Sequence, residues 1–283
     1  MKHIKHIISL FVFVFCLLAA MPASAQVELR LEPIRRDFIV GESVALKLTV
    51  VNHTDASISL TNIPGRPWLH FLVGRRGEDG AIAPFASPKF PDLKLTPGST
   101  RAFQVELGGF YRLERDGSYW AVATIRMPDG VSTYSSNRAP FVMTNGGEVR
   151  AFTIQARGER LHMSLRLARI DNQDCLFGQV RNADTKRIIG ACYMGRYLNF
   201  MEPRVLLDAA QNMHVLCQSS EQFYTYSIMN TRGGNAQRKI YRRAGGPVDL
   251  ISTGRGVQPV GLIPYVKPKP GEEGMRRASD RPL

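Results

Sequence analysis

The sequence predicts an all-β protein made of two successive antiparallel units, and three observations predict it. Apolar residues recur at every second position through most of the chain, the period of a strand with one buried face. Clusters of Gly, Asn, Asp and Pro interrupt that alternation at short intervals, as hairpin turns require. No stretch of useful length carries the 3.6-residue apolar period of a packed helix. At 283 residues the chain is long enough for two cores.

Residues 1–25 read as an export signal: Lys2 and Lys5 make a basic start, Ile7 to Ala20 an apolar run, and Ala23-Ser24-Ala25 a small-residue cleavage site. The run is short for a membrane span. Cys16 lacks the preceding small residues of a lipid-modified cysteine, and no later stretch is apolar enough to cross a bilayer. The expectation is an exported protein, periplasmic or secreted, with no transmembrane segment once the signal is removed.

Residues 26–146 are expected to form a sandwich. Val27, Leu29 and Leu31 alternate with Glu28, Arg30 and Glu32, and Pro33 ends the run. Val44, Leu46, Leu48 and Val50 repeat the pattern after Gly41-Glu42, one face buried and one wet. Ile58 to Thr61 and Trp68 to Val73 follow as strands, Gly77-Glu78-Asp79-Gly80 reverses the chain into Ala81–Phe85, and Ala86 to Gly98 reads as a crossing loop. Val131 to Met143 is the last strand, with Pro140 confining it to an edge or ending its pairing. Between them, Phe103, Val105 and Leu107 form one strand, Asp116-Gly117 closes a turn, and Tyr119, Ala121, Ala123 and Ile125 share one face of the next.

That strand–corner–strand, with Tyr119 opening its second strand, resembles the tyrosine corner of immunoglobulin-like and fibronectin-like sandwiches. The resemblance implies a fold, and a tyrosine hydroxyl bonded to upstream backbone, but no activity. The unit contains no cysteine, so the intersheet disulfide of antibody domains is missing.

Residues 147–264 are expected to form a second antiparallel β-meander, a small barrel or sandwich with blade-like hairpins. Its strands run over Leu161–Leu167, Cys175–Arg181, Ile188–Met194, Val205–Asp208, Met213–Gln218, Gln222–Asn230, Gln237–Arg243, Val248–Ser252 and Val257–Ile263. The part from Pro203 to Gly246 is similar to a single propeller blade, too little chain for a propeller. Residues 265–283, rich in Pro, Gly, Glu and Arg without apolar period, read as a disordered tail. A sandwich paired with a short meander is also similar to secreted bacterial two-domain β proteins of uncharacterised activity.

Cys175, Cys192 and Cys217 fall in the second unit. With a two-residue loop at Ala183-Asp184, Cys175 would face Cys192 at the separation a disulfide needs, and export makes such a bond durable. Three small buried hydrophobes are the alternative.

The sequence carries few of the motifs that prepare catalysis. No HExxH pair, P-loop, GxGxxG or GxSxG elbow occurs, and His53, His70, His162 and His214 are isolated in sequence. No CxxC spacing or oxygen-rich loop prepares a metal site, and no cofactor is implied. Charge is uneven: residues 26–145 carry 14 Lys+Arg against 12 Asp+Glu, residues 146–283 carry 21 against 12. The most suggestive patch joins Tyr224, Tyr226 and Tyr241 with Arg238, Lys239, Arg242 and Arg243 across a hairpin turning near Gly233-Gly234. Rings and guanidinium forks of this kind bind carboxylated, sulfated or phosphorylated ligands; the alternative is tyrosine packed in the sheet and cations guarding an exposed edge. Trp68 and Trp120 carry faces that stack on sugars or on core neighbours.

The expected function is non-enzymatic: an exported, envelope-associated protein binding an anionic polysaccharide or an envelope protein. The export signal argues against nucleic acid. A periplasmic hydrolase with a site assembled in space, and a structural or adhesion component, are the competing classes; oligomeric state has no sequence signal.

Overall fold

The computed structural model describes residues 26–254 and 256–266. The export signal, and all of the expected tail after Val266, lie outside the described residues. The described chain is all-β apart from one 3-10 turn at Leu107–Gly109.

The first ten strands are β1 (Val27–Pro33), β2 (Asp37–Ile39), β3 (Ala45–Asn52), β4 (Ile58–Leu60), β5 (Leu69–Arg75), β6 (Leu93–Leu95), β7 (Thr100–Glu106), β8 (Gly117–Arg126), β9 (Thr133–Ser135) and β10 (Ala139–Thr144). One sheet has the order β1-β3-β7, and the facing sheet β2-β10-β8-β5 with β9 on β8. Their inner faces make one core. Val27, Leu29 and Leu31 of β1 and Leu46, Leu48 and Val50 of β3 meet Leu69, Phe71 and Val73 of β5, the inner residues of β8, and Phe141 and Met143 of β10. This is the immunoglobulin-like sandwich that alternation implies.

The corner is present. Tyr119 is 3% exposed, its hydroxyl donates to the Arg115 carbonyl at 2.8 Å, and its ring stacks on Phe141 at 5.6 Å. A second buried phenol anchors the same region, Tyr111 donating to the Phe71 carbonyl at 2.5 Å.

Four local expectations need correction. Ala81–Phe85 is not a strand: Ile82 N–H reaches Val73 O, then Pro84, which has no N–H, ends pairing, and Phe85 bonds Phe110 instead. The loop at 86–98 contains β6, which pairs with β4. The last strand is broken in two, because the Asn137 amide leaves it to bond both N–H and C=O of Leu31 in the other sheet, each at 2.9 Å. The short β2, which pairs parallel to β10 over Val142–Thr144, has no signal of its own in the sequence. Pro140 accordingly sits where β10 has β8 on one side and no β2 partner on the other.

The remaining strands are β11 (Gly147–Ala156), β12 (Glu159–Ile170), β13 (Gln173–Asn182), β14 (Ile188–Arg196), β15 (Arg204–Leu207), β16 (Met213–Gln218), β17 (Phe223–Met229), β18 (Asn235–Arg243), β19 (Asp249–Thr253), β20 (Gly256–Val260) and β21 (Leu262–Pro264). They form sheets β11-β12-β13-β14 and β15-β16-β17-β18-β21, all antiparallel, plus the hairpin β19-β20. Leu161, Met163, Leu165, Leu176, Val180 and Met194 pack against Met213, Val215, Cys217 and Met229, so the meander closes as a second sandwich. The strand expected over Val257–Ile263 breaks at Gly261, whose φ of 72° takes the chain from β20 into β21.

The β19-β20 hairpin covers the outer face of the last sheet, over Leu216, Tyr224 and Tyr226. A polar chain fastens it. His214 Nε2 lies 3.0 Å from Asp208 Oδ2 and Nδ1 lies 2.6 Å from the Tyr226 hydroxyl, which donates to the Val257 carbonyl of β20 at 3.1 Å. Burial pushes the Asp208 carboxyl up, but hydrogen bonds from His214 and Asn212 outweigh it and hold the group below the usual carboxylate range.

Two outcomes follow in denaturant titrations. Tyr119→Phe keeps the Phe141 stack, loses the hydroxyl bond and costs about 1 kcal/mol; unchanged stability contradicts the corner. Because Asp208 titrates lower folded than unfolded, its contribution is present above about pH 4 and is lost as the pH falls further. Asp208→Asn therefore flattens that acid limb of the stability curve, and an identical limb in wild type and variant contradicts the fastening.

Candidate functional site

The predicted patch on β17 and β18 is not brought together as a surface. Tyr224 and Tyr226 are each 4% exposed and, with the partly buried Tyr241, pack under the β19-β20 hairpin. Register explains the split. Tyr226 faces Lys239 and Tyr224 faces Tyr241, whereas Arg238 faces Ser227 and Arg242 faces Phe223, so alternation sends Arg238 and Arg242 to the opposite side from Lys239, Tyr241 and Arg243. Arg238 lies over the Tyr193 ring at 5.1 Å, and Lys239, Arg242 and Arg243 are exposed.

The cysteines are also apart. Cys192 faces Gly178, and Cys175 faces Arg196. The loop is longer than two residues because the Asn182 side chain accepts from Asp184 N–H and Thr185 N–H and its carbonyl accepts from Lys186 N–H. The register then slips at two bulges. Cys175, Cys192 and Cys217 are free thiols, with Cys192 and Cys217 pushed up to about 12, chiefly by burial.

A carboxylate, an imidazole and a phenol do converge at Asp208, His214 and Tyr226, the ingredients a hydrolase would need. His214 is 5% exposed and Tyr226 4%, and both are engaged in the hydrogen bonds that hold the hairpin. Among the described residues no group of three or more His, Cys, Asp or Glu is arranged to hold a metal ion.

The arrangement with the best geometry for binding lies on the outer face of β8. Tyr119, Ala121, Ala123 and Ile125 fill the core, so Trp120, Val122 and Thr124 must point outward. Trp120 stands directly between Pro140 of β10 and Gly74 of β5. Neither neighbour raises a tall side chain, and a Cβ at Gly74 would overlap Trp120 Cζ2, so the indole lies down across β5. Trp120 is half-buried there, and Arg138 caps its outer side at 4.3 Å, a cation–π contact.

Trp120, Pro140 and Val142 floor a cavity of about 850 Å³ whose rim carries Arg36, Arg75, Arg76 and Arg138, a volume within the range of ligand sites. Arg75 is spoken for: it bonds Glu78 at 2.5 Å and the Asp116 carbonyl at 2.6 Å. Arg36, Arg76 and Arg138 are exposed, and no ion pair holds any of them among the described residues. Three unneutralised guanidiniums around an indole can grip an anion and stack on a ring. Trp68, the other tryptophan, is 2% exposed, packed edge-on against Phe90 and Phe103, and donates to the Pro91 carbonyl at 3.2 Å. The two tryptophans look alike in sequence; the row Pro140–Trp120–Gly74 separates them, and it becomes visible only once strand register is known.

No protein-family model matches the chain, and comparison with curated proteins finds no match. Among solved structures, the crystal structure of the periplasmic chaperone SfaE aligns over 75% of this chain and 98% of its own, at 11% identity and a TM-score of 0.25. A likeness that slight carries no functional argument, and the fold stands on strand pairing and core packing alone. Among the described residues no helix is long and apolar enough to cross a membrane.

Proposed function

We propose that the protein is a non-enzymatic, exported binding protein whose first sandwich takes an acidic polysaccharide in the Trp120 groove. The observation that carries this reading is the convergence of Arg36, Arg76 and Arg138, none neutralised by a carboxylate, on a half-buried indole. The apolar floor of Trp120, Pro140 and Val142 suits the edge of a sugar ring beside the Arg138-capped indole, and carboxylate or sulfate substituents match guanidinium forks. Export rests on the Lys2–Ala25 sequence pattern, which would deliver the groove to a compartment where such polymers occur.

The chain has only two tryptophans and Trp68 is sealed, so ligand-dependent changes in emission report on Trp120. Titration with heparin should change the emission saturably and weaken as salt rises, while neutral dextran should not. Changing Arg36, Arg76 and Arg138 together to Ser should weaken heparin binding by about ten-fold or more, the loss expected for even one charge-assisted contact. Changing Arg238, Lys239, Arg242 and Arg243 together to Ser should leave it nearly intact. The reverse pattern would move binding to β18, and equal binding by all three proteins would contradict the groove.

A further inference from the structure

A second cation-lined hollow lies in the other sandwich, at the open end of the β12-β13 hairpin. Its volume is about 490 Å³, and it is lined by Thr153, Arg160, His162, Arg181, Ala183 and Lys186, with no carboxylate among them. Pairing places these residues together: His162 faces Thr153 on one side and Arg181 on the other. The Asn182 turn carries Lys186 over the same end, in a left-handed conformation with φ of 63°.

The nearby acids engage only part of the hollow. Asp184 holds Arg160 at 2.7 Å, and Glu148 lies 3.2 Å from His162 and 3.4 Å from Arg166. Arg181 and Lys186 meet no carboxylate among the described residues. Arg181 Nη2 donates to Gln179 Oε1 at 2.6 Å, but its Nε is buried without a partner. Ser164 Oγ, diagonal to Arg181 on the same face of the sheet, is likewise buried without one. Burial, then the uncompensated charge of Arg181, hold the Arg166 guanidinium below its usual range against the opposing pull of Glu148. A buried guanidinium N–H without a partner, beside a hollow with no carboxylate among its lining residues, favours a site that accepts negative oxygen atoms.

We propose that this hollow is an oxyanion site that binds a phosphate or sulfate group, with Arg181 and Lys186 as the principal ligands and the Thr153 hydroxyl and His162 ring beside them. The site is independent of the Trp120 groove. Its volume exceeds that of a single oxyanion, so either the free ion or a small ester fits.

The test uses the full chain and inorganic phosphate, read by isothermal titration at constant ionic strength held with chloride. Saturable binding is expected, weakened about ten-fold or more in Arg181→Gln, by loss of a charge-assisted contact, and several-fold in Lys186→Gln, whose exposed side chain leaves folding untouched. The groove variant lacking Arg36, Arg76 and Arg138 should bind phosphate as wild type does, which separates failure here from failure of the polysaccharide reading. A sugar phosphate that binds as well as inorganic phosphate identifies an ester as the source, and one that binds far more weakly identifies the free ion; both support the site. No saturable binding, or equal binding by wild type and Lys186→Gln, overturns it.

Discussion

The inner face of β8 is the constraint on which the outer Trp120 surface depends. Tyr119, Ala121, Ala123 and Ile125 are at most 3% exposed, and the paired alanines leave room for the facing sheet to close over Leu46, Leu48 and Val50. Once those four side chains are committed to the core, the pleat allows no choice about the others. Trp120 must emerge on the outer face, and Gly74 and Pro140 determine that it lies flat. A one-residue slip of β8 would bury Trp120 and expose Tyr119, destroying core and groove together.

A second constraint ties the two sandwiches. The segment after β2 docks on β13 and β14: Gln179 Nε2 donates to the Val40 carbonyl at 2.7 Å, and Ala191 N–H donates to the Gly41 carbonyl at 3.0 Å. Gly41 has φ of 90°, and a Cβ there would overlap Ile188, so glycine is required both for conformation and for the close approach. Ile39 sits with Ala168, Cys175 and Phe177 in a small core beside the joint. Arg35 pairs with Glu42 while its guanidinium lies 4.5 Å from the Phe38 ring centroid; burial pushes the Glu42 carboxyl up, and Arg35 opposes it. The same Gln179 accepts from Arg181, so the joint also braces one wall of the basic hollow.

Much of the fold was legible because period-two alternation is a direct projection of one-sided burial. Where burial is not one-sided, the signal fades. β11, exposed along most of its length at the edge of its sheet, alternates only over Phe152, Ile154 and Ala156 after a bulge between Glu148 and Arg150, and β2 is only three residues long. The Tyr119 corner was readable because its chemistry is local, a hydroxyl bonding four residues back. The Trp120 groove was not, since its residues come from four separate segments and its character depends on which arginines lack acids in space. The tyrosines of β17 misled for a related reason. Tyr224 and Tyr226 look amphipathic in sequence, and only the β19-β20 hairpin, folded back from more than twenty residues later, turns their face into a core. The cysteine register failed at the Asn182 turn, where the side chain builds a longer loop than the sequence spacing implies, and at two bulges further along the pair.

The central claim is that one tryptophan lies half-buried beside unneutralised positive charge while the other is sealed. Collisional quenching of tryptophan emission by iodide and by caesium, at matched ionic strength, tests it most directly. Iodide, drawn toward Arg36, Arg76 and Arg138, should quench much more strongly than caesium, and Trp120→Phe should abolish most of that quenching. Equal quenching by the two ions, or iodide quenching that survives Trp120→Phe, would contradict the account.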